Sequence, residues 1–371
     1  MFENRMMKKY YILIWIILLG AAVIACADVN TTQNETQSEN ATAVSVSEAT
    51  DTAEMKRIIG LHTSVCNDAE AEGLIESLPK LAERGINLVI VEVGYCFQYK
   101  THPELGEPEG LSLEAANRIA EAACAVGIEI VPEINCLGHQ SWEDYTCSLL
   151  TVYPELDETP NKFPNNEDIY CRSWCPLNET VNIIIFDLID ELIDAFSADA
   201  FHVGMDEVFI IADDDCPRCH GKDAGELFAK QIIDLYQHIV IEKGAAMYMW
   251  ADRLLDGQVF GDAYSEWEAS YNGTYTAIDL IPKDIIMCDW HYEAMDDYPS
   301  VAYLTSAGFQ VLTASWNDAD AAEQLITVTM DLSEENDRVL GHIYTTWGEI
   351  DNEDMDGWGP MVETIHLLNT K

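Results

Sequence analysis

From about residue 54 the apolar positions fall into two alternating rhythms. Short, nearly continuous runs rich in β-branched residues have the signature of strands covered on both faces. Between them lie longer stretches whose apolar residues recur every three or four positions, as on a helix with one covered face. The strand-like runs are 57–62, 86–93, 128–135, 200–205, 246–250, 285–290, 310–315 and 342–346. The helix-like stretches are 70–84, 113–126, 181–196, 224–243, 298–306 and 319–332, with Gly244 placed to cap the fourth. A long excursion over 136–178, rich in Pro, Asn, Cys and aromatic residues, interrupts the alternation. Eight strands alternating with helices predict an α/β fold with a parallel sheet. An eighth strand close to the C-terminus favours a closed (β/α)8 TIM barrel over an open doubly wound sheet. No Gly-rich phosphate loop follows the first strand, which argues against a dinucleotide fold.

Charge narrows the function classes. There are 19 Lys and Arg against 66 Asp and Glu, a net charge of −47. A surface this acidic repels nucleic acid and anionic membrane faces, so neither is expected as a partner. No redox cofactor is implied, and the composition leaves the oligomeric state open.

The N-terminus carries a separate pattern. Arg5, Lys8 and Lys9 form a positive segment ahead of the apolar run 11–23, and Val23-Ile24-Ala25-Cys26 resembles the lipobox of secreted lipoproteins, in which Cys26 would be lipidated. An ordinary signal peptide or an uncleaved anchor are the other readings, and all three export the rest of the chain. Residues 27–53 are rich in Thr, Ser, Asn, Glu and Ala without apolar periodicity, as in a disordered tether. The expected organisation is a signal peptide over 1–26, a tether over 27–53 and one barrel over 54–371, lipid-anchored at the cell surface or secreted.

In barrels of this kind the chemistry sits at the C-terminal ends of the strands. Those ends carry His62, Glu92, Glu133, His139, Asp206, Glu207, Trp250, Asp252, Asp289, Trp290, His291, Tyr292, Trp316, Trp347 and Glu349. Side-chain alternation along 201–208 turns Phe201, Val203 and Met205 towards the helices. His202 and Gly204 then face the interior, Gly204 leaves space beside the site, and Asp206 follows the same parity to the rim. Glu207 comes where the chain turns. Adjacent carboxylates in a partly buried site repel when both are charged, so one keeps its proton. A protonated carboxyl beside an ionised one is what cleavage of a glycosidic bond needs. An Asp-Glu dipeptide in so acidic a chain is by itself more often a solvated pair; its place after a buried strand is what singles it out. His139 and His202 could also be satisfied core histidines, His202 hydrogen-bonding within the barrel rather than transferring protons.

The run Phe201-His202-Val203-Gly204-Met205-Asp206-Glu207-Val208 resembles the His-x-Gly-Gly-Asp-Glu signature of glycoside hydrolase family 20, the β-N-acetylhexosaminidases. Val131-Pro132-Glu133-Ile134-Asn135 with Gly138-His139, Met249-Trp250-Ala251-Asp252 and Thr346-Trp347-Gly348-Glu349 resemble three further segments of that family in the expected order. The resemblance implies a retaining exo-glycosidase on terminal β-linked N-acetylhexosamine in a glycan or glycoconjugate. Glu207 would be its general acid/base, and Asp206 would orient an acetamido group that itself attacks the anomeric carbon. Trp250, Trp290 and Trp347 would wall the sugar pocket, Glu349 would bind hydroxyls, and His139, His202, Asp252 and Tyr292 would join the binding set. Two departures stand out: Met205 replaces the second Gly, and the first strand ends in Leu61-His62-Thr63-Ser64-Val65 without the family's sugar-holding Arg. They keep open a glycosidase on sugars without the acetamido group, with Asp206, Glu133 or Glu349 as nucleophile or base, and a non-catalytic carbohydrate-binding barrel.

No catalytic metal is assigned. Cys171, Cys175, Cys216 and Cys219 lie in the loops flanking the fourth strand and could make a tetrahedral zinc site or one or two disulfides, a staple near the site. Cys124 and Cys288 read as small buried apolar residues.

Overall fold

A computed structural model describes residues 57–369, apart from 143 and 262. The readings for 1–26, with its lipobox Cys26, and for 27–53 lie outside the described residues. Eight parallel strands form a closed barrel: β1 (Ile58–Ser64), β2 (Leu88–Glu92), β3 (Glu129–Cys136), β4 (Ala200–Gly204), β5 (Ala246–Trp250), β6 (Ile286–Trp290), β7 (Gln310–Ser315) and β8 (Val339–Thr345). Each pairs with the next in sequence, and β8 closes on β1 with His62 opposite Thr345. The outer layer holds α1 (Asp68–Arg84), α2 (Leu113–Val126), α3 (Glu179–Phe196), α4 (Ala224–Tyr236), α5 (Pro299–Ser306), α6 (Ala319–Ser333) and α7 (Gly359–Leu368). The TIM-barrel expectation holds.

Local chemistry sets the boundaries. Asn67, Ser112, Asp223 and Asp318 each turn a side-chain oxygen onto the free N–H groups opening α1, α2, α4 and α6, caps that contribute about 1 kcal/mol each. The helix expected over 224–243 is not continuous. Regular α-helix ends at Tyr236, and Gln237–Glu242 follows as a wider π turn. Between β5 and β6 the described residues contain only short helical turns, at Asp252–Leu254, Gly257–Phe260 and Thr274–Asp279. The C-terminal helix α7 and the small hairpin Ser141–Trp142/Tyr145–Thr146 inside the excursion were not anticipated.

The core has two layers. Between strands and helices lie residues such as Leu61, Val89, Phe201, Val203, Met205 and Met247. Inside the barrel lie Leu88, Ile90, Val131, Tyr248, Ile286, Cys288, Leu312, Ala314 and Ile343. The predicted alternation along β4 is therefore observed, and Cys288 is buried as expected. Cys124 is not: α2 buries Ala115, Ala116, Ile119 and Ala123, and one further residue rotates Cys124 about 100° out to the exposed side. β3 and β4 pair irregularly, with Glu133 opposite His202 but Cys136 opposite Gly204, so one extra residue is accommodated at the C-terminal end of this pair.

Candidate active site

Above the apolar interior the barrel changes character. Glu133, fully buried, accepts hydrogen bonds from His62 Nε2 at 3.0 Å, from His202 Nδ1 at 3.0 Å and from Trp250 Nε1 at 3.1 Å. Burial opposes its charge, but His202 and His62 outweigh burial and hold this carboxyl well below its usual range. The partner shift agrees: burial works against a charged His62, and Glu133 overcomes it, so the His62 pKa rises. Glu133 is thus a saturated anion that fixes three rings from three strands. Beside it Glu92 accepts from Ser64 Oγ at 2.8 Å and from Asn135 Nδ2 at 2.8 Å, its own pKa raised by burial and by Glu133.

One layer further out is the mouth. His139 Nε2 stands 3.1 Å from Asp206 Oδ2 and 3.2 Å from Glu207 Oε2, so one nitrogen serves both carboxylates. Burial would discharge this imidazole; Asp206 first, with Glu207 added, pushes its pKa well above the ordinary value. Asp206 is 7% exposed, and its other oxygen, Oδ1, has no hydrogen-bond partner among the described residues. The backbone that builds this corner is unusual. Leu137, His139, Met205 and Glu207 all have positive φ, between 48° and 73°, as does Gly204 at 64°. Such conformations cost on the order of 1 kcal/mol or more for residues other than glycine, and they cluster at functional sites. Gly204 leaves no free space, contrary to expectation: a Cβ there would meet Asn135 Oδ1 at 2.3 Å. Gly138 allows a similar approach, since its Cβ would lie 2.9 Å from the Asp206 carbonyl oxygen. Glycine at these two positions lets the β3 and β4 ends close on each other and bring His139 to the carboxylates.

The walls are aromatic. Trp250, Trp347 and His62 form one contiguous set, with ring centroids 4.4–5.7 Å apart. Trp290 packs on Tyr292 at 4.8 Å, and Tyr292 accepts a hydrogen bond from Trp347 Nε1 at 2.9 Å. A second set was not singled out in the sequence: Trp142, Tyr170, Phe209 and Trp267 meet edge to face, and Tyr170 and Trp142 both reach the His139 ring. Burial and then Glu207, which accepts a hydrogen bond from Tyr170, drive the Tyr170 pKa upward. The only signal for Trp142 and Tyr170 was the aromatic richness of the excursion; Phe209 and Trp267 lie in other loops and gave none.

Several expected site residues are placed differently. His202 is fully buried on Glu133, beneath the mouth, so it meets the barrel interior rather than a sugar. Asp252 is also buried: its Oδ2 accepts from Arg253 Nε at 2.6 Å and from the Glu207 backbone N–H at 3.0 Å, which makes it an anchor for Glu207. Burial, moderated by Arg253 and reinforced by Asp206, raises its pKa to about 6. Glu349 lies exposed, bonded to Asn317 Nδ2 at 3.1 Å. Cys171 does not join the other three cysteines of its group; its Sγ faces the Glu207 carbonyl oxygen at 3.6 Å. Cys66 and Cys96 form a disulfide that ties the end of β1 to the turn after β2.

His139, Asp206 and Glu207 also place three ligand atoms within metal-binding reach of one another. His139 is itself drawn towards its charged form there, so the imidazole is the cation this corner offers its carboxyl groups. Cavity size does not mark this region. A cleft of about 520 Å³ opens at the opposite end of the barrel, among Ile58, Leu88, Glu129, Ile130, Ser197 and Asp199, away from the strand ends that carry the expected chemistry.

No curated protein matches the sequence. Among solved structures, the Flavobacterium johnsoniae chitobiase superposes with a TM-score of 0.59 at 20% identity, over 83% of this chain and 47% of that chain. A Bacteroides fragilis β-N-acetylhexosaminidase gives 0.60 at 17% identity, over 84% and 66%. A Vibrio harveyi exo-β-N-acetylglucosaminidase in complex with N-acetylglucosamine gives 0.61 at 16%, over 84% and 54%. The chain therefore spans about half the length of the first and third of these proteins, and at such identities the likeness is one of fold. The sequence itself goes further: residues 35–357 match the profile of the glycosyl hydrolase family 20 catalytic domain, and on that match, which takes in most of its length, the chain belongs to glycosyl hydrolase family 20.

Proposed function

We propose that the protein removes terminal β-linked N-acetylhexosamine residues from glycans, with retention of configuration and with help from the substrate's own acetamido group. The observation that carries this reading is the shared His139. Because Asp206 and Glu207 both lie within 3.2 Å of one nitrogen, they sit on the same side of the site. A sugar ring cannot lie between them, as a carboxylate nucleophile opposite a carboxylic acid requires. The other candidate nucleophiles are occupied. Glu133 is saturated by three donors, Glu349 lies exposed and accepts from Asn317 Nδ2, Asp252 is held by Arg253, and Asp289 by Ser300 and His291. The attacking atom is then the acetamido oxygen.

Glu207 gives its proton to the leaving oxygen as the acetamido oxygen bonds to the anomeric carbon and the glycosidic bond breaks. Positive charge then spreads over the amide, whose N–H finds the buried Oδ1 of Asp206. Water next attacks the anomeric carbon, Glu207 takes its proton, and the amide is released. Tyr170 and Asp252 position Glu207; Trp290, Tyr292 and Trp347 offer faces for the sugar ring, and Trp250, fully buried on Glu133, backs them from beneath instead of meeting the sugar as expected. The N-terminal pattern around Cys26 supports action outside the cell, on an exported chain.

The test is hydrolysis by the full-length protein of aryl β-N-acetylglucosaminide, aryl β-N-acetylgalactosaminide and aryl β-glucoside. Turnover of the acetamido sugars alone is expected, and Asp206→Asn should narrow their advantage. Comparable turnover of the glucoside would overturn substrate assistance. Glycan binding without turnover of any of the three would overturn the enzymatic reading.

A further inference from the structure

Away from the carboxylate pair, four buried acidic groups converge on one point. Cys175 Sγ lies 3.4 Å from Cys219 Sγ and 3.6 Å from Cys216 Sγ, and Cys216 Sγ lies 3.1 Å from Glu158 Oε2. All four ligand atoms fall within 4.8 Å of one another, and none of the four residues is more than 1% exposed. We propose that Cys175, Cys216, Cys219 and Glu158 bind a structural zinc ion that locks the excursion before α3 to the loop after β4.

The spacing fits a tetrahedron. With Zn–S near 2.3 Å and Zn–O near 2.0–2.2 Å, the ligand–ligand edges of a regular site are roughly 3.5–3.8 Å. A disulfide needs sulfurs about 2.05 Å apart, and three cysteines around one centre would leave one of them over. Glu158 adds a second, independent reason. It is a fully buried carboxyl with no ion pair among the described residues, accepting only from the Asp213 N–H and from thiols. A buried carboxylate without a cation is costly, and a divalent ion removes that cost. The backbone is also prepared. Cys175 and Cys216 are each followed by proline, and the N–H groups of Leu177, Arg218 and Cys219 point at their sulfurs, the last at 3.3 Å from Cys216 Sγ. Such N–H···S bonds stabilise thiolate, the form that binds metal. Three soft sulfurs with one oxygen in a closed, buried, tetrahedral set favour zinc, with no open position for chemistry. Binding would release the thiol protons to solvent and leave the oxidation state of every sulfur unchanged.

The position gives the ion a purpose. Cys216 lies in the loop that leaves Glu207, and Cys175 lies five residues after Tyr170, which bonds Glu207. One ion thus fixes two segments that together place the carboxylate pair.

Elemental analysis of the full-length chain, purified under reducing conditions without chelator, should find about one zinc per chain. Replacement by cobalt should give thiolate charge-transfer absorption and the visible bands of a tetrahedral ion. Glu158→Gln should keep the charge-transfer band but weaken zinc by at least the roughly 10–100-fold that loss of an outer-sphere partner costs; Cys219→Ser should lose the ion. If those variants fail to fold, alkylation of the native wild type decides. Cys175, Cys216 and Cys219 should be protected with zinc and react together once a chelator removes it. Folded protein without zinc, whether the three thiols react freely or two are joined in a mapped disulfide, would overturn the proposal.

Discussion

Two histidines in the same barrel, both buried, are pushed in opposite directions by their surroundings. His342, on β8, sits between the hydroxyls of Thr313 at 2.8 Å and Ser315 at 2.9 Å. Its environment contributes burial alone, which lowers its pKa to about 3 and leaves the ring neutral. His139, three residues beyond β3, is also buried, yet two carboxyl groups push its pKa well above 6.5. Burial makes each ring sensitive; its neighbours choose the sign. Hydroxyls can donate or accept, so they satisfy a neutral ring and make a rigid wall. Carboxylates only accept when ionised, so they demand a proton and make a site. The contrast divides the barrel into a β7–β8 wall that should tolerate loss of charge chemistry and a β3–β4 corner that should not.

The largest effect should come from the corner. Glu207→Gln keeps the shape of the side chain and removes the transferable proton. We expect kcat/KM on unactivated glycosides to fall by roughly 10²–10⁴-fold, the usual contribution of a general acid, with a smaller loss on aryl glycosides whose leaving group needs less help. Near-wild-type rates on both would remove Glu207 from the acid role and erase the distinction between corner and wall.

His139→Gln comes next. It leaves Asp206 and Glu207 without their shared cation and frees the ring's place between them. The loss should reach about 10²-fold in kcat/KM, the scale set by misplacing a reacting group by an ångström. The pH profile separates charge from packing. A raised pKa means that the stabilisation by His139 is complete below the unfolded value near 6.5 and fades only as pH climbs through the higher folded value. Urea unfolding of the wild type should therefore show stability lost on the alkaline side, and His139→Gln should lack that limb. An unchanged alkaline limb in the variant would show that His139 does not carry the charge.

His342 predicts the opposite window. A depressed pKa means that its contribution is complete above 6.5 and disappears as pH falls towards 3, by at most about 5 kcal/mol over the whole range. Urea unfolding of the wild type should show a steeper loss of stability from pH 6.5 to 4 than unfolding of His342→Asn, with kcat in the two proteins nearly equal at neutral pH. Equal slopes would mean that the ring takes up its proton inside the wall.

The same contrast explains what could be read in the sequence. Strands and helices were legible because burial on two faces or one writes a period into the chain, and 246–250 and 310–315 were placed to the residue. Asp206, Glu207 and the Trp-bearing strand ends were legible because the barrel puts chemistry at one end of each strand. Three things were not. His202 and Asp252 stand at strand ends as well, but whether such a side chain faces the mouth or the layer beneath depends on pairing register between strands, which sequence spacing does not contain. Tyr170 and Trp267 come from loops without periodicity. Glu158 joined Cys175, Cys216 and Cys219 in place of Cys171 because the fold of the excursion, not its spacing, decides which side chains converge.

The smallest expected effect tests the backbone on which the corner rests. Met205 has φ of 73° and is fully buried against the outer layer. Cutting its side chain back to alanine should cost about 2–5 kcal/mol, as for other buried methionines, because the lost contacts are not replaced. Glycine loses one methyl group more and adds freedom to the unfolded chain, which ordinarily makes it the worse substitution by roughly 0.5–1 kcal/mol. At positive φ the order should turn over. Alanine keeps the steric conflict of a left-handed residue, about 1–2 kcal/mol, and glycine relieves it. Met205→Gly should therefore unfold in urea at a concentration equal to or above that for Met205→Ala. Both variants should keep most of the wild-type kcat, since Met205 points away from the carboxylates. If alanine proves clearly the more stable, the turn carries no strain, and the positive φ values shared by His139, Met205 and Glu207 are a consequence of close packing rather than a cost borne to bring the three groups together.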